Sequence, residues 1–173
     1  LQYSPLEEEF VRVIDQHRGI LYKVCRMYGS TGPDRQDLFQ DIIIQLWRSY
    51  PSFRGEARFS TWMYRIALNT AISDLRRQNR RITPVTLDPL PTQLNEYQYS
   101  TEDDERLALL YAAIGRLTEV ERALTMLYLE DKSYFEMEEI LGISQNNLRV
   151  KMNRIKDKLR KMTKEAAYGT GRP

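Results

Sequence analysis

Apolar residues recur at three- and four-residue spacing almost from end to end of this chain, and no run alternates apolar with polar residues as a half-buried strand does. The expected fold is all-α. The period fails once, over residues 82–100, ITPVTLDPLPTQLNEYQYS, which holds three of the seven prolines and no lysine or arginine. Pro84, Pro89 and Pro91 fix their own φ and push the residues before them out of the helical region. A stretch this long without periodicity reads as a linker. It divides the chain into two small helical domains, residues 1–81 and 101–168, with YGTGRP as a frayed tail.

Local chemistry sets the helix limits. In the first domain the spacing predicts helices near residues 5–28, 33–50 and 59–79, with Gly29, Gly32 and Pro33, then Pro51 and Gly55, at the breaks. In the second, Thr118 with Glu121 and Ser133 with Glu136 are capping boxes, where hydroxyl and carboxylate each satisfy an orphan backbone N–H. Ser144 is placed to cap the last helix, and Gly142 follows Leu141, where a helix end calls for a left-handed residue.

The net charge of +2 is small, but it is unevenly spread. Residues 145–164 carry eight Lys/Arg against one acid, and residues 119–139 carry seven acids against two bases. That pattern suits a molecule with one face for a polyanion. A single cysteine, Cys25, excludes an internal disulfide and a cysteine-based zinc site; a single histidine, His17, removes His-pair metal chemistry. A Ser-His-Asp site is thereby weakened, and no metal or cofactor is expected. Cys25, set in a helical pattern, is expected to be a buried structural thiol. No apolar run approaches the roughly 18 residues that span a bilayer, and the first residues lack a signal-peptide pattern. A cytoplasmic protein is expected.

The segment SYFEMEEILGISQNNLRVKMNRIKDKLRKM reads as a short helix, the turn GIS and a longer basic helix. Leu148, Met152, Ile155, Leu159 and Met162 make one apolar stripe along the second helix. Gln145, Asn146, Arg149, Lys151, Asn153, Arg154, Lys156, Lys158 and Arg160 lie off it. Amides and guanidinium groups opposite an apolar stripe suit the major groove: Arg reads guanine, Asn or Gln reads adenine, and Lys neutralises phosphate.

FSTWMYRIALNTAISDLRRQNRR, residues 59–81, separates into two faces at about 100° per residue. Met63, Tyr64, Ala67, Leu68, Ala71 and Leu75 fall on a core side. Trp62, Arg65, Asn69, Ser73, Arg76 and Arg80 fall on the other. Arginines hold phosphates and rings stack on unpaired bases, while Asn69 can meet a base edge. The preceding PSFRGEAR adds Phe53, Arg54 and Arg58 beside Gly55. Trp62 can also pack against its neighbours, and the two roles are compatible. This combined face suits DNA that is being opened. In the helix before it, Leu38, Phe39, Ile42, Ile43, Leu46 and Trp47 form a broad core face. Asp37, Gln40, Asp41, Gln45 and Arg48 form a polar one that includes Ile44, a candidate anchor for a partner.

DLFQDIIIQLWR, FRGEARFSTWMYRIALNTAISDLRR and SYFEMEEILGIS…VKMNRIKDKLR together resemble an extracytoplasmic-function sigma factor of the sigma-70 family, over nearly the whole chain and in the family's order. The resemblance implies a factor that binds bacterial core RNA polymerase and delivers it to promoters. Asp37, Gln40, Asp41, Ile44 and Arg48 would dock on the polymerase clamp helices. Phe53, Arg54, Arg58, Trp62, Arg65, Asn69, Arg76 and Arg80 would recognise and melt the −10 element and hold it single-stranded. Gln145, Asn146, Asn147, Arg149, Val150, Lys151, Asn153 and Arg154 would read the double-stranded −35 element. The linker would thread the RNA-exit region, and an anti-sigma factor would cover these surfaces. Two positions depart from the family pattern. Glu138 stands where Ala is usual, which points to looser packing or a rotated recognition helix, and Asn147 replaces a usual Thr. A stand-alone helix-turn-helix regulator remains the alternative, though it gives residues 59–81 no role. A nuclease or recombinase is a third reading, weakened because the acids form no convincing metal cluster.

Overall fold

The computed structural model describes the backbone of residues 4–81 and 102–169; the expected linker lies outside the described residues. The described residues are helical apart from short connections, with no strand among them. The chain divides into two compact units, residues 1–85 and 86–173, and the division falls inside the proline-rich segment.

The first unit contains α1 (Pro5–Tyr28), α2 (Gly32–Ser49), a single 3₁₀ turn at Tyr50–Ser52, and α3 (Phe59–Arg81). Ser4 with Glu7 and Thr31 with Asp34 close capping boxes that start the first two helices. Pro5 and Pro33 occupy their first turns, where a missing N–H costs nothing. Each of the three helices packs on the other two. Leu21, Val24, Ile42, Leu46, Met63, Ala67 and Leu68 are wholly enclosed between them. The core side expected of α3 is confirmed, with Leu75 half-buried at its margin. The core face of α2 is narrower than its sequence suggests. Leu38, Ile42 and Leu46 are buried, but Phe39, Ile43 and Trp47 are half-buried at the edges. Cys25 is buried as expected, and burial pushes its thiol up to about 11, so it stays protonated and unreactive.

The second unit contains α4 (Glu102–Gly115), α5 (Glu119–Leu129), α6 (Tyr134–Leu141) and α7 (Gln145–Gly169). Both expected capping boxes are present. Gly142 takes φ +68° just past α6, the left-handed conformation that a side chain disfavours. Helix α7 is the hub and packs on α4, α5 and α6. It also runs further than expected: Tyr168 and Gly169 are helical, and residues 170–173 lie outside the described residues.

Polar ties hold the helices in register around α7. The Arg122 guanidinium donates to the carbonyls of Gly115 at 2.7 Å and Leu117 at 3.4 Å, closing the end of α4. Lys158 Nζ of α7 donates to Glu121 Oε2 of α5 at 3.0 Å. Burial alone would raise the Glu121 carboxyl, but the Thr118 N–H, the Lys158 ammonium and the Thr118 hydroxyl together hold it below its ordinary value. Its contribution to stability is therefore present above the ordinary carboxylate range and is lost as pH falls through the lowered value.

Leu148, fully enclosed where α7 meets its neighbours, carries the first packing prediction. Leu148→Ala will cost about 2–5 kcal/mol of the second unit's stability. Thermal or urea unfolding followed by circular dichroism checks it; a loss comparable to that of an exposed alanine substitution would contradict the packing described.

Candidate nucleic-acid interface

The outer face of α3 presents the chemistry its sequence suggests. Arg65, Asn69, Ser73, Arg76 and Arg80 are exposed in one row, on the side opposite the buried Met63, Ala67 and Ala71. Trp62 heads the row but is half-buried, and the reason is a cluster of rings drawn from separate elements. Its indole lies 5.0 Å from Phe53, 5.2 Å from Phe59 and 6.4 Å from Tyr50, centroid to centroid. Tyr50 in turn meets Phe10 of α1 at 5.2 Å, and Phe59 meets His17 at 5.1 Å. Burial and then the Glu9 carboxylate, which accepts from the Tyr50 hydroxyl, push that phenol above its ordinary value. Edge-on and tilted contacts of this kind add about 0.5–1.5 kcal/mol per pair beyond area burial. The cluster holds Trp62 and Phe53 in place while leaving part of each accessible.

The loop before α3 keeps Arg54 and Arg58 exposed on either side of Gly55. Gly55 sits at φ +71° with open space where a Cβ would project. A left-handed turn is what requires glycine there.

On α2, Asp37, Gln40, Ile44 and Arg48 are exposed and Asp41 is half-buried. Ile44 is 45% exposed, an apolar residue on an otherwise polar strip. Asp41 lies 3.8 Å from Arg77 of α3, whose guanidinium is held more closely by Asp74 at 2.6 Å. A polar groove lined by Asp41, Gln45, Asn69, Ser73, Asp74 and Arg77 therefore joins the outer faces of α2 and α3. Arg77 was not among the residues singled out from sequence, although its spacing from Asp74 is the one that lets helix side chains meet. Tyr50, Phe59 and His17 escaped notice because their rings converge from different elements.

In the second unit, α6, the turn and α7 form the expected helix-turn-helix. Asn146, Asn147, Arg149, Val150, Lys151, Asn153 and Arg154 are all exposed. The Arg149 guanidinium rests over the Tyr134 ring at 5.0 Å and reaches Asn146 Oδ1 at 3.4 Å. Two of the lysines lying off the stripe turn back to the unit instead: Lys156 meets the Tyr128 hydroxyl at 2.9 Å, and Lys158 is the partner of Glu121. Asp157 accepts from Arg160 at 2.9 Å. The carboxylate of Glu138 does not loosen the packing as expected. Met137 and Ile140 of α6 and Leu148 and Met152 of α7 are all buried, and Glu138 Oε2 accepts from Gln145 Nε2 at 2.9 Å. Gln145 is half-buried, unlike the exposed Asn146 and Asn147 that follow it.

Comparison with known proteins covers both units. The family described as Sigma-70 region 2 matches residues 13–81, and Sigma-70 region 4 matches residues 107–159. The chain is 33% identical over 137 residues to the ECF RNA polymerase sigma-E factor of Haemophilus influenzae, covering 72% of this chain and 71% of that protein. It is 28% identical over 149 residues to the sigma-E factor of Escherichia coli K12, covering 79% and 78%. A solved structure of the sigma factor RpoE in complex with the anti-sigma factor NepR from Bartonella quintana shares the fold, with a TM-score of 0.70 and 20% identity over 91% of this chain and 98% of that one. A stand-alone regulator is not favoured, because the match takes in the first unit as well as the helix-turn-helix. The chain belongs to the extracytoplasmic-function sigma factors of the sigma-70 family.

Proposed function

We propose that this transcription initiation factor divides its work among three surfaces: one for polymerase, one for opened DNA and one for duplex DNA. The outer strip of α2, with Asp37, Gln40, Asp41, Ile44 and Arg48, docks on bacterial core RNA polymerase. Phe53, Arg54, Arg58, Trp62, Arg65, Asn69, Arg76 and Arg80 capture the −10 element as it unpairs. Arginines neutralise the backbone while the accessible parts of Trp62 and Phe53 offer faces to unstacked bases. Asn146, Asn147, Arg149, Val150, Lys151, Asn153 and Arg154 read the −35 duplex in the major groove, with Val150 suited to a thymine methyl group. In this reading residues 1–81 act as the polymerase and −10 domain, residues 82–100 as the linker and residues 101–168 as the −35 domain. The chain itself catalyses no reaction and works beside polymerase in the cytoplasm. An anti-sigma factor would silence it by covering these faces.

One observation supports the reading most: the row of exposed guanidinium groups on α3 headed by the half-buried, still accessible ring of Trp62. Reconstitution tests it. Core polymerase plus the chain, given a library of random DNA, will produce transcripts whose start sites share two upstream elements; core alone will not. Equal, unpatterned transcription with and without the chain would refute the reading.

A further inference from the structure

Gln145 stands at the start of the recognition helix, where an amide is normally a candidate to read adenine. Its side chain is already engaged. The carboxylate of Glu138 only accepts hydrogen bonds, so the Gln145 amide nitrogen must face it, and it does so at 2.9 Å in a half-buried setting. Helix geometry points the same way. At about 100° per residue, Gln145 projects within about 20° of buried Met152 and about 100° from Asn146. Asn146, Val150 and Asn153, by contrast, span about 60° and are all exposed. Arg149 flanks them, braced by Tyr134. Bidentate reading of adenine needs the amide oxygen and an amide hydrogen aimed together at the groove. The bond to Glu138 fixes the plane of the Gln145 amide toward α6 instead.

We propose that Glu138 is a positioning residue for −35 recognition: it withholds Gln145 from the bases and confines direct readout to the strip of Asn146, Arg149, Val150 and Asn153. The proposal rests on the sigma-factor reading above. It gives the carboxylate a purpose, since a negative charge near the major groove would otherwise only weaken DNA binding.

The test is enrichment of a promoter library randomised across the −35 region, using holoenzyme reconstituted from core polymerase and the full chain. Q145A will leave the base preferences within about twofold of wild type at every position, because Gln145 reads nothing there. E138A will gain a preference of about fivefold or more for adenine at one base pair, and the double variant E138A/Q145A will lose it. E138Q, whose amide oxygen can still accept from Gln145, will keep the wild-type profile and separates the hydrogen bond from the loss of charge. A changed profile in Q145A alone, or an unchanged one in a folded E138A, overturns the proposal. If E138A fails to fold, a changed profile in Q145A still overturns the proposal. A wild-type holoenzyme that enriches no −35 sequence overturns the sigma-factor reading itself, and this proposal with it. Enrichment that none of the variants alters overturns this proposal alone.

Discussion

Trp62→Ala will sharply reduce promoter opening while leaving polymerase binding intact. Stacking of one base on an aromatic side chain is worth about 1–3 kcal/mol, so loss of the indole should lower the population of open complex by about fivefold to a hundredfold. Permanganate reactivity of unpaired thymines in the −10 region measures it directly. The substitution also removes contacts with Phe53, Phe59 and Tyr50. Because Trp62 is only half-buried, the cost to the first unit is expected below the 3–5 kcal/mol typical of a fully enclosed Trp→Ala change. Unfolding of the variant separates the two effects. Trp62→Phe, which keeps a ring in the cluster, should restore most stability and part of the opening. If Trp62→Ala opens promoters as the wild type does, the α3 face is a packing feature and its assigned role is wrong.

Ile44→Asp is the second substitution with a large expected effect, and it strikes a different step. Ile44 projects from α2 at 45% exposure, so replacing it removes little from the folded unit. An apolar anchor at the middle of an interface commonly contributes about 2 kcal/mol or more. Replacing it with a charge should raise the Kd for core polymerase by at least about thirtyfold, with unfolding unchanged. Asp41→Ala should weaken binding too, and with little effect on the free protein, since its 3.8 Å pair with exposed Arg77 is worth about 0–1 kcal/mol. Unaltered binding by Ile44→Asp would move the docking surface off this strip.

The sequence conveyed what depends on neighbours along one helix. The boxes at Thr118 and Ser133, the left-handed Gly142 and the two faces of α3 follow from three- and four-residue spacing, and the structure has each of them. What it concealed depends on side chains meeting between elements. A wheel drawn for α7 alone does not include Glu138 on α6, so it could not show the bond that engages Gln145. Glu138 looked like a packing fault for the same reason. Lys156 and Lys158 looked free until α5 supplied Tyr128 and Glu121. That Trp62 could also pack was legible, but not against what: the rings that half-bury it come from the 3₁₀ turn, the loop and the start of α3. The extents of α1, α2 and α3 were legible to within about two residues, and α7 runs on through Tyr168 and Gly169 because no breaker precedes Gly169.

Docking on polymerase through α2 is tested by titrating the full chain with bacterial core RNA polymerase, followed by fluorescence anisotropy at physiological salt. The label belongs on the terminal amine, since the buried Cys25 thiol resists modification. Tight, saturable binding is expected, weakened strongly by Ile44→Asp and left unchanged by Trp62→Ala. Absence of saturable binding, or binding indifferent to Ile44 and Asp41, would contradict docking through α2.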